Sequence, residues 1–251
     1  VIMTYNEERN IQRCLDSVAA VADEVVVLDS FSTDNTEAIC LENNVVFIQN
    51  EFLGYIEQKN HAITYATYDF VLSLDADEAL SDDLRENILI EKNSFSSQGY
   101  IMNRMANYCG KWIKHCGWYP DKKLRLFNTK FGKWGGTNPH DEFLFEKKES
   151  VKFIEGDILH YSFYTVNDHI KQVEKFTDIA ANAYFEKGRR VSFLKIIFSP
   201  FVRFIRDYFF LGGLLDGKYG LIICYISAYS VFVKYDKLKK LQNASTKKIH
   251  N

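Results

Sequence analysis

A chain of 251 residues, 47% hydrophobic and 25% charged, can bury one large core or one domain with an appendage, and it is neither a disordered nor a fibrous sequence. The net charge of −2 conceals an acidic body and a basic end: residues 1–186 carry 18 Lys and Arg against 30 Asp and Glu, residues 187–251 carry 13 against 3. Five scattered Cys without a CxxC pair indicate neither a zinc knuckle nor a disulfide framework, and reduced thiols in the cytoplasm are expected.

The opening VIMTYNEERNI is a short apolar run, then Asn6, then an amphipathic pattern. Asn6 is the expected N-cap, Glu7 and Glu8 suit the first turn, and Ile11, Leu15 and Val18 carry the helical spacing. There is no initiator Met and no secretory leader is visible, so a few trimmed N-terminal residues are expected. In EVVVLDSFSTDNTEAI, residues 25–28 read as a strand buried on both faces; Asp29 ends it, and a helix starts near Asp34. A third strand is expected at 45–48, a helix over 56–67 and a fourth strand at 70–74.

Strands alternating with helices imply an α/β domain with a parallel sheet covered on both faces, and such sheets bind ligands at the carboxyl ends of the strands. Three of these ends carry polar groups: Thr4 with Asn6, Asp29, and Asp75 with Asp77. If the strands are neighbours, the groups line one crevice. No GxGxxG or GxxxxGK[ST] occurs to explain it. In FVLSLDADEAL, two Asp one residue apart at a strand end suit Mg²⁺ or Mn²⁺ shared with phosphate oxygens. The competing reading is a solvated turn that caps the next helix through Ser81 and Asp82.

Residues 99–161 read as short strands punctuated by Gly110, Gly117, Gly132, Gly135 and Gly136. Trp112, Trp118 and Trp134 fall in the same stretch. Trp134, close to His140 and Asp141, is the first choice for an aromatic face that stacks on a ligand, with ordinary core as the alternative. Residues 165–187 have helical spacing. The strongly apolar segment after them is interrupted by Lys195, Arg203, Arg206, Asp207, Asp216 and Lys218. Its longest uncharged run, 219–233, falls short of the roughly 20 residues a spanning helix needs. Pro200 should bend or divide the helix, and Gly212-Gly213 should break it. Interfacial helices over 190–240, aromatics down and Lys/Arg toward anionic lipid, are the preferred reading; a packed helical hairpin is the alternative. Residues 242–251 are expected to fray.

TYNEERNI, VVVLDSFSTDNT, QKNHAI and VLSLDADEAL, in that order and spacing, resemble glycosyltransferase family 2. GKWGGTNPHDEF and GDILHYSF resemble the branch of bacterial lipopolysaccharide core β-glucosyltransferases. The resemblance covers nearly the whole chain. It implies an inverting enzyme with a GT-A-type, Rossmann-like nucleotide-sugar domain over 1–162, built on a mostly parallel central sheet. Residues 1–98 would be the donor half, 99–162 the acceptor half, and 163–251 a helical, basic-aromatic extension. Thr4, Asn6 and Glu7 would lie along the nucleoside, Asp29 would hold the base, and Ser30 and Ser32 would line the same wall. Lys59 would be a cation near the diphosphate, or a solvated helix residue. Asp75 would lie near ribose and metal, Asp77 would ligate the Mg²⁺ or Mn²⁺, and Glu78 would hold the loop. His160 would complete the metal or diphosphate site, or be a buried structural residue. Arg125 would face phosphate or acceptor, or cover the sheet edge.

Inverting transfer needs one general base for the acceptor hydroxyl. NPHDEF offers Asp141, with Glu142 second; the related enzymes mostly show His-Glu where this chain has His140-Asp141. The implied activity is metal-dependent transfer from a nucleotide-sugar, a UDP-sugar favoured, to a cell-surface glycan such as lipopolysaccharide core or a lipid-linked acceptor. The implied location is cytoplasmic, peripheral at the inner face of the cytoplasmic membrane, with no nucleic-acid partner. A non-catalytic scaffold or binding module on the same fold is the alternative, against which the intact Asp29, Asp75, Asp77 and Asp141 argue. A nucleotidyltransferase would show a Gly-rich basic loop that TYNEERN lacks.

Overall fold

The apolar runs of the first half become strands because only a sheet covered on both faces buries them from both sides. β1 (Ile2–Thr4), β2 (Val26–Asp29) and β3 (Val46–Gln49) are joined by α1 (Ile11–Val18) and α2 (Thr36–Glu42), and α3 (Tyr55–Ile63) follows. The fourth run divides at Ser73 into β4 (Phe70–Leu72) and β5 (Leu74–Asp75). β5 joins a parallel sheet of order β3-β2-β1-β5. The computed structural model describes residues 1–137 and 140–249; the side chains of Thr137, His140 and 246–249 also lie outside the description.

After the DAD turn come β6 (Glu78–Leu80), α4 (Asp82–Lys92), β7 (Gly99–Tyr108), β8 (Lys111–Trp112) and β9 (Asp121–Asn128). The hairpin β10 (Gly132–Thr137) and β11 (His140–Phe145) leads to β12 (Val151–Phe163). β4, β9, β7, β12 and β6 form a second sheet in that order. Ser81 caps α4 by accepting from the Leu84 N–H (3.3 Å), so the cap expected there does form, three residues beyond the acidic turn. Ile2, Val27, Leu74, Leu84, Tyr100 and Ile158 centre the main core. Gly156 sits at φ +105°, and a Cβ there would meet the Leu84 amide nitrogen at 2.5 Å. Only glycine lets β12 pass this close to the start of α4.

Two local expectations change in this unit. Asn6 is not an N-cap: it takes a left-handed φ of 54°, and its Oδ1 accepts from the Thr33 N–H (2.8 Å), tying the β1 and β2 loops together. Helix α1 starts later, at Ile11, after Asn10. α3 stops at Ile63 rather than near 67, before turns that lead into β4.

The chain separates into two units, 1–105 with 120–161 and 106–119 with 162–251. The second holds α5 (Val166–Glu186), α6 (Phe193–Ile205) and α7 (Gly217–Ile249). Thr165 and Asp168 form a capping box at α5. Pro200 lies inside α6 without ending it. The break falls at the glycine pair, where Gly212 takes φ +68° between a π-turn over Arg206–Phe210 and a 3₁₀ turn over Gly213–Asp216. α7 runs on to Ile249, so 242–249 of the end expected to fray are helix, and 250–251 lie outside the described residues. The division at 162/163 also changes. Residues 106–119 belong with the helices because Tyr108, Ile113 and Cys116 find their apolar cover in Phe163, Ile223 and Cys224.

Candidate active site

The register of the parallel sheet brings the polar strand ends to one edge. Thr4 pairs with Asp29, so β1 and β2 end level, while Asp75 of β5 pairs with Met3, one residue behind them. Asp29 is fully buried. It accepts from the Ser32 N–H (2.8 Å), from the Ser32 hydroxyl and from Gln49 Nε2 (3.3 Å). Ser32 Oγ in turn accepts the Asn6 N–H (2.8 Å), and Ser30 Oγ accepts from Gln58 Nε2 (3.1 Å). Ser32 and Asn6 therefore stand together at Asp29, while the Ser30 side chain is engaged by Gln58. The Thr4 hydroxyl is buried without a hydrogen-bond partner among the described residues. Glu7, whose Oε2 accepts from Asn10 Nδ2 (2.7 Å), has its carboxyl pushed up to about 7, first by burial and then by Asp77 and Asp34.

The acidic turn sits on a buried lattice of opposite charges. Both Asp75 oxygens have cations beside them: Lys59 Nζ lies 3.7 Å from Oδ1 and Arg125 Nη2 3.2 Å from Oδ2. Burial alone would raise this carboxyl, but Lys59 and Arg125 outweigh it and hold it well below the usual carboxylate range. Glu78, fully buried, takes Arg125 (3.0 Å) and Arg104 (3.2 Å) on Oε1 and the Asp75 N–H (3.0 Å) on Oε2. Arg104 also bonds Asp121 (2.7 Å). The turn is thus held from beneath, and Glu78 is the residue that holds it.

Asp77 points elsewhere. Its Oδ2 lies 3.1 Å from His160 Nε2, delivered by β12 where His160 pairs with Glu78. Burial lowers the imidazole, but the Asp77 carboxylate outweighs burial and holds it above the ordinary histidine range. Among the described residues no three His, Cys, Asp or Glu side chains gather as a metal cage. The Asp77 carboxylate still fits Mg²⁺ or Mn²⁺, because such ions complete their shell with water and substrate phosphate; the His160 imidazole suits these hard ions less well. Asp75, occupied by Lys59 and Arg125, is the poorer ligand of the two.

Across from the turn, Lys59 is buried on α3 and bonds Asp141 Oδ2 at 2.6 Å. Strand alternation on β11 turns Asp141 and Phe143 toward that side and leaves Glu142 exposed on the other. Trp134 is only 3% exposed, packed against Phe127 and Phe143, with Lys59 Nζ 4.5 Å from its ring centre. It supports the lysine and offers no free sugar-stacking face. Arg125, 4% exposed, is a clamp beneath the turn and does not face an acceptor.

Sequence reasoning missed Arg104, Asp121 and Asn60, whose side-chain amide bonds both backbone groups of Trp134 at 2.9 Å. A signal for Arg104 existed: a charged residue between Met102 and Met105 in a strand-like run needs a buried partner.

Comparison with known proteins gives the family. The family model described as glycosyl transferase family 2 matches residues 1–150. An uncharacterized glycosyltransferase of Rickettsia typhi is 28% identical over 96% of this chain and 86% of its own length. The lipopolysaccharide core biosynthesis glycosyltransferase LpsC of Rhizobium meliloti is 25% identical over 93% of this chain and 91% of its own. Among solved structures, residues 1–349 of S. aureus TarS align over 98% of this chain and 90% of that one, at 14% identity and a TM-score of 0.42.

Proposed function

The chain belongs to glycosyl transferase family 2, and on that premise we propose that this glycosyltransferase moves a sugar, with inversion, from a nucleotide-sugar to a cell-surface glycan such as lipopolysaccharide core. A UDP-sugar is the favoured donor, and the name of the Rhizobium relative supports the acceptor class. A lipid-linked acceptor would be met at the inner face of the cytoplasmic membrane, with the enzyme as a peripheral protein. The observation that carries the reading is the gathering of Thr4, Asp29 and Asp75 at the carboxyl ends of adjacent strands, with Lys59 paired to both Asp75 and Asp141.

Asp29 and the Ser30/Ser32 wall would bind the base, and Thr4, Asn6 and Glu7 would lie along the nucleoside. Asp77 with His160 would hold a divalent cation, which when bound supplies positive charge to the diphosphate leaving group. Lys59 neutralises Asp141; an arriving diphosphate would give the lysine a second anion and leave the Asp141 carboxylate able to act as base. The acceptor oxygen would then bond the sugar C1, its proton would pass to Asp141, and the C1–diphosphate bond would break. The strand face favours Asp141 over Glu142 for this role.

The test is calorimetric titration of UDP, GDP and ADP with and without Mn²⁺, followed by turnover of variants. Metal-dependent binding of one nucleotide, lost in Asp77→Asn, is expected, as is Asp141→Asn that binds donor and does not turn over. No binding of any nucleotide would favour the scaffold reading. Normal turnover in Asp141→Asn with loss in Glu142→Gln would move the base.

A further inference from the structure

The second unit carries an apolar surface that its own core does not use. On α6, Phe193, Leu194, Ile197, Phe198, Phe201 and Val202 are exposed, from 49% for Ile197 to 70% for Phe193. Their spacing puts them on one half of the helix cylinder. Ile196, on the other half, packs with Ala181, Val191 and Leu238. Phe209, Leu214 and Leu215 continue the exposed apolar surface through the turn after α6, and Phe210 there is 80% exposed. So much contiguous apolar surface marks an interaction site.

The charge around it is predominantly positive. Between residues 187 and 235 there are only two carboxylates, Asp207 and Asp216, and both are buried. Asp207 is held by Arg203 (2.5 Å) and Arg206 (2.7 Å), while Asp216 accepts the His115 N–H (2.9 Å) and lies 3.2 Å from its ring. The charge left facing solvent is that of Lys187, Arg189, Arg190, Lys195, Arg206 and Lys218. A second copy of the chain would bring this positive rim against itself, whereas an anionic lipid surface complements it.

The geometry is that of a helix lying in the interface. Among the described residues no single helix is long and apolar enough to cross a membrane. Phe193–Phe210 and Gly213–Ser245 together have the composition but bend by 70° at the break. The 13 residues of α6 reach about 20 Å, against a hydrocarbon core of about 30 Å.

We propose that this face docks on an anionic lipid bilayer, with α6 and the 209–215 turn in the plane of the interface. Their Phe and Leu side chains enter the acyl boundary and the flanking Lys and Arg sit among lipid phosphates. The proposal rests on the peripheral placement proposed above and names the face that makes the contact; it is tested without substrate, so it can fail while sugar transfer stands.

The full chain is sedimented with vesicles of phosphatidylcholine, alone or mixed with phosphatidylglycerol. Expected are binding to the anionic vesicles, weakening as salt rises, and a loss of about tenfold or more in Phe198→Asp/Phe201→Asp at an unchanged melting temperature. Should that variant fold poorly, Phe210→Trp supplies a second readout: its added fluorescence should shift blue on anionic vesicles and be quenched by brominated lipid. Absence of vesicle binding by the parent, or a Phe210→Trp signal that lipid leaves unchanged, would overturn the proposal. So would a concentration-dependent dimer that Phe198→Asp/Phe201→Asp dissociates, which would assign the face to a second copy.

Discussion

Replacing Arg125 by Met takes one guanidinium out of the lattice beneath the acidic turn. Arg125 is 4% exposed and donates to Glu78 (3.0 Å), Asp75 (3.2 Å) and the Ser73 carbonyl (3.4 Å). Without it, Glu78 keeps Arg104 and Asp75 keeps only Lys59 at 3.7 Å. Removing one partner from a buried ion pair costs about 3–5 kcal/mol, and Arg104 brings the cost to the low end, about 3 kcal/mol. In a chain of this size that is a fall of roughly 6–12 °C in melting temperature. Urea denaturation at constant m is the assay. The double variant Arg125→Met/Glu78→Gln should lose less than the sum of the two, by about 1 kcal/mol or more, because the second change removes the charge the first left unpaired. A loss below about 1 kcal/mol in the single variant would refute the reasoning: the carboxylates would be reaching water, and backbone geometry alone would be holding the turn.

Lys59→Gln leaves Asp141 without its 2.6 Å partner; it should cost about 2–4 kcal/mol in urea denaturation and, on the donor reading, raise the donor KM about tenfold. Glu7 gives a pH signature. Its carboxyl rises from 4.5 to about 7 on folding, so the folded state holds the proton more tightly and stability falls as pH rises between those values. Glu7→Gln should remove that fall, melting with the parent near pH 4 and above it near pH 8, by about 1 kcal/mol once solvent screening is allowed for. Gly156→Ala should cost about 2–3 kcal/mol or more, from both its positive φ and the clash with Leu84, with nucleotide binding per folded molecule unchanged.

The strands could be read because burial on both faces leaves continuous apolar runs, and their polar ends could be read because Asp29 and Asp75 terminate those runs abruptly. Neighbouring order is tertiary, and the register of Thr4 with Asp29 supplies it. The division of the fourth run at Ser73 carries no Gly or Pro to announce it; the break reflects a change of partners, from β9 on one side to β1 on the other. Trp134 was conspicuous for its place near His140 and Asp141, yet burial follows from packing against Phe127 and Phe143, which no spacing rule reveals. Arg125 and Glu78 meet across 47 residues of chain, and pairings at that distance leave no periodic trace.

The second unit is assembled from two passages of one chain, and that has a consequence for its birth on the ribosome. Tyr108, Ile113 and Cys116 leave the ribosome well before Ile223 and Cys224, the residues that complete their core. At about 5–20 residues per second, a separation of about 110 residues is a wait of roughly 5–20 s with apolar side chains uncovered. During that wait the first unit has all of its strands except β12 before residue 151 is added, while residues 106–119 still lack the partners of their core. A chain cut short before α7 would keep that loop uncovered for its whole lifetime, so truncation would strip a core as well as a surface.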